Sequence, residues 1–334
     1  MAEFISSFIT GFQDVVQKDL TARFPKIKIL NLFDGLIHYR FDGDSRELEK
    51  IIYFNNTFFV LKTMKGKGLS FPSLVGAVTS SKNYFLVNKG SFRVRFVQEN
   101  QFAKVDKNLT RRAEDYVLAN SKLKLDRLSP TNEVWFSIRR EGFAFCGELI
   151  SKREFTEKNL NKGELRPEIA YFICCFVDIN PDDTILEPFC GYGSIPTQLA
   201  KKFRFKKLYV SDIENERVEL TKSRKQITSC PDGLIDCRTA DALTLSHIED
   251  KSVSLVITDP PWGYYEEIED IADFYARMFK SFDRILTTEG RMVILSARKE
   301  ELEQTAAASG FKIKNSLHTL VNGKKAGLYY LVRD

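Results

Sequence analysis

The chain has 334 residues, 43% of them hydrophobic, with six cysteines, three histidines and a net charge of +5. That length accommodates two domains or three small ones with a sizeable core. No stretch approaches the ~18 consecutive apolar residues of a membrane helix, and the start MAEFISSFITGFQDVV has neither the basic n-region nor the cleavage site of a signal peptide. Cys146, Cys174, Cys175, Cys190, Cys230 and Cys237 form no C-x-x-C pair and the histidines are scattered, which argues against a metal site and for reduced cysteines in a cytoplasmic protein.

In chain order, Phe4 to Thr10 is apolar and β-prone, and Gly11 opens a helical pattern of Phe12, Val15, Val16 and Leu20. Residues 27–41 alternate around the Asp34-Gly35 turn signal and predict a hairpin. From Ser45 to about Met64, the spacing of Leu48, Ile51, Ile52 and Phe54 predicts a second amphipathic helix. Ser91–Val97 alternates with period two and predicts a strand. A helix is predicted from Asn108 to Leu123, then strands Glu133–Ile138 and Phe143–Ile150 around an Arg139–Gly142 turn, and a polar linker over 151–166. Between residues 51 and 100, Lys62, Lys65, Lys67, Lys82, Lys89, Arg93 and Arg95 face the single acid Glu99 and are interleaved with Phe58, Phe59, Phe71, Tyr84, Phe85, Phe92 and Phe96. Such a stretch suits a polyanionic partner, although a run of charge is also the ordinary composition of a solvated face.

Beyond the linker the pattern is regular α/β. A helix over Pro167–Asp178 leads to strand Thr184–Glu187, a Gly-rich loop and a helix to about Lys202. Strand Lys207–Ser211, a helix from about Asn215 to Ile227, strand Leu234–Arg238 and strand Val253–Thr258 follow. A helix over about Ile268–Leu286, strand Met292–Leu295, helix Arg298–Ala308 and strands near Lys312–Leu320 and Leu328–Val332 complete it. This alternation predicts a doubly wound, mainly parallel sheet, with ligands beyond the carboxyl ends of its strands.

Two segments at those strand ends carry chemistry. In Leu-Glu-Pro-Phe-Cys-Gly-Tyr-Gly-Ser-Ile (186–195), Gly191 and Gly193 let the backbone approach a ligand closely, although a G-x-G also serves as a plain tight turn. The third glycine of a dinucleotide fingerprint is absent, Pro196 standing nearby instead. Asp212 and Asp241 end the next two strands; each alone reads equally as a cap or turn residue. Together with Glu187 they suit a ligand carrying an ammonium (Glu187), ribose hydroxyls (Asp212) and an adenine amine (Asp241). The second segment is Asp259-Pro260-Pro261-Trp262, directly after an apolar strand. The lone pair of a base amine is delocalised into the ring. An enzyme that alkylates it must hold the nitrogen in line and favour charge development there. The Asp259 carboxylate and a backbone carbonyl, expected to be that of Pro260, can each accept one amine hydrogen. The prolines stiffen the segment, and Trp262 offers a stacking face.

Glu187–Ser194 resembles the nucleotide loop of class I methyltransferases, and Asp259–Trp262 resembles the (D/N)PP(Y/F/W) motif of those that methylate amines. The loop departs from the DPFCGSG pattern of the RNA enzymes at Glu187 and Tyr192, which implies changed packing. The N-terminal half resembles the THUMP-containing RNA methyltransferases. The match rests on Gly11-Phe12 and the helix after it, the Ser91–Arg95 strand, Leu125-Asp126 with Pro130 leading into Glu133–Ile138, and the segment Lys152-Arg153 to Leu165-Arg166-Pro167-Glu168-Ile169-Ala170. This resemblance implies a ferredoxin-like domain (1–65), a THUMP RNA-binding domain (66–150), a linker (151–166) and a Rossmann-like methyltransferase domain (167–334). It implies S-adenosylmethionine as cofactor, held by Glu187, Pro188, Phe189, Cys190, Gly191, Gly193, Ser194, Asp212, Ile213, Asp241, Ala242 and Asp259. Catalysis falls to Asp259, Pro260, Pro261 and Trp262, and the product is N2-methylguanosine in tRNA, in the acceptor-stem region at position 6 or 10. Lys62, Lys65, Lys67, Arg93, Arg95, Arg111 and Arg112 are the expected RNA contacts, reaching the acceptor end. Whether a small activating subunit joins stays open. The rivals are a 23S ribosomal RNA guanine-N2 enzyme, a DNA adenine-N6 or cytosine-N4 enzyme, and a non-catalytic RNA-binding protein; the N-terminal half shows no helix-turn-helix pattern, and the intact motifs speak against the last.

Overall fold

The computed structural model describes residues 2–87, 89–153, 160–264 and 268–334. They form two compact units, Met1–Ile9 with Val16–Glu154 and Thr10–Val15 with Phe155–Asp334. The middle of the predicted linker, 154–159, lies outside the described residues.

The first unit is built on β1 (Ala2–Ser7), α1 (Gln13–Arg23), β2 (Lys28–Phe33), β3 (Leu36–Phe41), α2 (Ser45–Glu49), β4 (Asn56–Lys65), α3 (Phe71–Thr79), β5 (Ser91–Gln98), β6 (Gln101–Phe102), α4 (Lys107–Asn120), β7 (Lys124–Leu125), β8 (Asn132–Arg139) and β9 (Phe143–Lys152). The strands make one sheet in the order β2-β3-β1-β4-β9-β8-β5-β6, with β7 also paired to β5. Period-two alternation along β8 sends Val134, Phe136 and Ile138 into a core with Leu74, Val75 and Val78 of α3 and Ala113 and Val117 of α4. Trp135 falls on the opposite face, beside Phe58, Phe143 and Phe145.

The structure corrects the predicted helix over 45–64. Only α2 forms, a single capped turn in which the Asp44 carboxylate accepts from the Arg46 N–H. The chain then extends as β4 between β1 and β9. Thr57, Phe58, Phe59 and Val60 are β-branched or aromatic and fit a pleated surface with strands on both sides better than they fit a helix. Helix α3 is an addition, started by a Ser70–Ser73 capping box with a proline in the first turn.

The second unit holds α5 (Pro167–Cys175), β10 (Thr184–Glu187), α6 (Ser194–Lys202), β11 (Lys207–Asp212), α7 (Asn215–Ser223), α8 (Lys225–Thr228), β12 (Ile235–Thr239), β13 (Val253–Thr258), α9 (Ile271–Ile285), β14 (Leu286–Ser296), α10 (Lys299–Ala308), β15 (Phe311–Val321) and β16 (Lys324–Arg333). Its sheet runs β12-β11-β10-β13-β14-β16-β15. Strands β10 to β14 pair in parallel, and β16 inserts antiparallel between β14 and β15. Buried Tyr275, Met278, Phe279, Phe282 and Ile285 of α9 pack with Val256, Met292 and Ile294 of the sheet. The chain steps outward from β10 to β12 and then returns to place β13 on the other side of β10. The carboxyl ends of β10 and β13 therefore flank the crevice where the strand order reverses, the position at which such sheets take ligands. No helix among the described residues is long and apolar enough to cross a membrane.

Candidate active site

A cavity of about 840 Å³ opens at that crevice, wholly within the second unit. It is lined by Glu187, Pro188, Phe189, Cys190, Gly191, Ser194, Asp212, Ile213, Asp241, Ala242 and the Asp259–Trp262 segment. Every residue expected to hold the cofactor lies on its wall except Gly193.

Glu187 ends β10 fully buried. Its Oε1 accepts from the Thr258 hydroxyl at 2.6 Å and from the Phe189 N–H at 3.0 Å. Its Oε2 is out of solvent and without a partner. Burial, reinforced by the neighbouring Asp259 and Asp212 charges, holds this carboxyl well above the usual carboxylate range. Asp212 folds the loop: one oxygen accepts from Gly191 N–H at 2.8 Å and the other from Glu214 N–H at 3.0 Å. Beside it, Ile213 is 71% exposed on the cavity wall and offers a flat ring an apolar surface. Asp241 makes a turn by accepting from Leu243 N–H at 2.8 Å and also lines the cavity. Burial pushes the Cys190 thiol far above its ordinary value, which marks it as a packing residue.

The two loop glycines differ. Gly193, at φ +79°, packs so closely that an added Cβ would stand 2.6 Å from Thr221 Oγ1 on α7. Gly191, at φ +48°, has open space where a Cβ would go and lines the cavity. Gly193→Ala is expected to destabilise the protein by about 2–4 kcal/mol through overpacking and left-handed strain. Gly191→Ala should cost only about 1 kcal/mol of stability yet weaken cofactor binding. Denaturant unfolding and a binding titration on both variants check this; equal stability losses would remove the distinction.

After β13, Asp259 has a carboxyl oxygen, Oδ1, that is buried and without a partner, although the residue as a whole is only half-buried. Burial raises its pKa to about 8, partly offset by the Trp262 side chain. The segment beyond it is held from behind. Buried Tyr275 hydrogen-bonds Ser296 at 2.8 Å and donates to the Pro261 carbonyl at 3.4 Å, and Arg298 Nε donates to the Trp262 carbonyl at 2.7 Å. Trp262 meets Tyr264 edge-to-face. Glu164, Glu187, Asp212, Glu214, Asp241 and Asp259 thus outnumber the basic wall residues Lys162, Arg217 and Lys324. Two buried acceptor oxygens and an acidic lining fit a cationic ligand such as S-adenosylmethionine.

Sequence reasoning missed Tyr275 and Arg298, which brace the motif from distant positions, and Lys162–Leu165 and the β15–β16 turn, which complete the wall. The Asn322-Gly323 pair between two strands was the readable sign of that turn.

The basic residues of the first unit do not gather at one point. Arg93 is paired with Glu133, and Arg95 lies 3.6 Å from the same carboxylate and over the Phe102 ring. Lys62 donates to Ser81 and Arg112 to Thr79, at the end of α3. Lys65 donates to Asn31, Arg111 is exposed, and Lys67 lines a separate cavity with Arg139 and Arg140.

The tRNA (guanine(6)-N2)-methyltransferase of Methanocaldococcus jannaschii is 20% identical over 376 aligned positions, covering 96% of this chain and 97% of that protein. The protein of the same name from Thermus thermophilus is 24% identical over 238 positions, covering 69% of each. Among solved structures, TrmN from Thermus thermophilus superposes with a TM-score of 0.79 at 19% identity, over 100% of both chains. The family profile described as RMKL-like, methyltransferase domain (UPF0020) matches residues 153–326, just over half of the chain, spanning the loop after β10 and the Asp259 segment. The chain belongs to this methyltransferase family, and its second unit has the class I fold that serves S-adenosylmethionine as methyl donor.

Proposed function

We propose that the protein transfers a methyl group to the exocyclic N2 amine of a guanosine in tRNA, in the acceptor-stem region. Position 6 is favoured over 10 because both relatives described above carry the guanine(6) name. The observation that carries the reading is the partnerless, buried Oδ1 of Asp259 at the mouth of β13, in one cavity with Glu187, Asp212 and Asp241. Bound there, S-adenosylmethionine supplies an electrophilic methyl on a sulfonium. Glu187 would accept from its ammonium, Asp212 from the ribose and Asp241 from the adenine amine, and Ile213 and Ala242 would offer the ring apolar surface. Asp259 and the Pro260 carbonyl would accept the two hydrogens of the guanine amine and aim its lone pair; the methyl would pass to nitrogen as its bond to sulfur breaks with the electron pair staying on sulfur, and Asp259 would take the proton that the nitrogen sheds. Trp262 supports the base, which must be extruded or already exposed to enter.

In the first unit, residues 1–65 and 66–150 serve as ferredoxin-like and THUMP parts that hold the acceptor end in the cytoplasm. Lys62, Lys65, Lys67, Arg111 and Arg112 are the stronger contacts, because Arg93 and Arg95 already share Glu133. Binding should weaken steeply with salt. The test is transfer of labelled methyl to total tRNA, ribosomal RNA and duplex DNA in parallel, with nucleoside analysis. N2-methylguanosine in tRNA is expected. Label on adenine or in DNA would overturn the substrate, and label confined to ribosomal RNA would move the enzyme to that polymer.

A further inference from the structure

One of the three basic residues on the wall of the acidic cavity stands on the β15–β16 hairpin. The β15–β16 hairpin turns at Asn322-Gly323 and contributes Val321, Asn322 and Lys324 to the lining, on the same cavity as Asp259. Lys324 is half-buried, with Nζ 3.6 Å from the centre of the Tyr264 ring. Among the described residues no carboxylate pairs with it. Arg298 approaches the same ring at 4.8 Å, but it also donates to the Trp262 carbonyl and lies 3.8 Å from Glu301. Tyr264 is 45% exposed and braces Trp262 edge-to-face at 6.4 Å. Among the described residues, a cation without a carboxylate partner therefore stands on an aromatic ring beside the residues that position the base.

The guanine ring offers a lysine only neutral acceptors, O6 and N7, whereas the backbone beside it carries full negative charge. A guanosine inside a polynucleotide carries a phosphodiester on each side of its sugar, and lysine binds phosphate as a point charge. Resting on the proposed base-amine reading, we propose that Lys324, seated on Tyr264, binds the phosphodiester flanking the methylated nucleotide, so that the site admits a nucleotide within a chain rather than a free nucleoside. Lys324 is then a positioning residue, and Arg298 shapes the seat.

The experiment compares wild type, Lys324→Met and Lys324→Arg on whichever polynucleotide the wild-type enzyme labels, over a series of salt concentrations. An anisotropy titration with a tRNA transcript and a calorimetric titration with S-adenosylmethionine run alongside. Lys324→Met is expected to raise the RNA KM about tenfold and to weaken transcript binding. One lost phosphate contact should make the plot of log kcat/KM against log salt shallower by ~0.7–0.9. Its cofactor affinity and melting temperature should match wild type, and Lys324→Arg should recover most of the loss. Tyr264→Leu should reproduce the defect and Tyr264→Phe should not. An unchanged salt slope and transcript affinity would overturn the proposal. So would a fall in cofactor affinity, which would assign Lys324 to the cofactor's own carboxylate. The identity of the polymer labelled by the wild type judges the substrate reading separately.

Discussion

Asp259→Ala is expected to lower methyl transfer by about a hundred- to a thousandfold, the usual effect of removing one preorganised group at the reacting centre, while S-adenosylmethionine affinity stays within a few-fold. The carboxylate is placed to accept from an amine through an oxygen with no protein partner, so its removal is felt when charge develops on nitrogen and hardly before. Asp259→Asn keeps an acceptor but adds a donor and loses the charge, and should fall between. The carboxylate is the working form, and burial raises its pKa to about 8. With cofactor-free enzyme, kcat/KM should therefore climb as pH rises through that region and flatten above it. Stability runs the opposite way. An acid whose folded pKa is raised holds its proton more tightly when folded, so the contribution of this one carboxyl to the stability of the empty protein is greatest below the ordinary carboxylate range and is lost as pH rises toward 8. The melting temperature of Asp259→Asn should fall less over the same interval. Normal transfer by Asp259→Ala would remove the residue from the chemistry altogether.

The catalytic half was legible because its signals are local. Strands Thr184–Glu187 and Val253–Thr258 were read with the bounds the structure gives them, since each is a short apolar run that stops at an acid. In a parallel sheet a strand end is also where ligands bind, so the position of Asp259 in the sequence nearly specified its position in space. The loop glycines read as one feature in the sequence, yet only Gly191 borders the cavity; Gly193 answers to Thr221 on α7, too far along the chain for a local pattern to show. The helix expected over 45–64 failed for a similar reason. Of the apolar spacing Leu48, Ile51 and Phe54 only Leu48 falls in the turn that forms, and the fate of Thr57–Val60 is decided by β1 and β9, which flank it. Helix α3 needed only the capping box at Ser70 and Ser73, a local signal that was present and passed over. Charge was the least legible quantity. The sequence shows Arg93 and Arg95 as two positive charges on a strand; pairing across β5 and β8 sets both against Glu133. Lys324, far along the chain from the motifs, gave no sign that it would line the same cavity as Asp259.

Glu187→Gln should weaken S-adenosylmethionine binding by roughly ten- to a hundredfold, the ~1.5–3 kcal/mol of a lost charge-assisted hydrogen bond, without unfolding the protein. The Thr258 hydroxyl and the Phe189 N–H both donate to one oxygen of Glu187, and an amide oxygen can take their place. The amide nitrogen would then occupy the position of Oε2, the buried oxygen without a partner. An acceptor waiting for an ammonium becomes a donor facing one. S-adenosylhomocysteine carries the same ammonium but no sulfonium, so both ligands should lose affinity by a similar factor; loss confined to S-adenosylmethionine would place Glu187 at the sulfonium instead. The folded, empty protein keeps this carboxyl protonated well above the usual range because burial disfavours its charge. Cofactor binding should therefore release protons at pH values above the usual carboxylate range, a release read by calorimetry in buffers of different ionisation enthalpy and reduced in Glu187→Gln. By the same sign argument as for Asp259, burying Glu187 as a charge costs stability increasingly as pH rises, so the glutamine variant should melt at or above the wild-type temperature in alkaline buffer. A variant that melts normally and binds cofactor normally would show that the buried oxygen is not the ammonium acceptor.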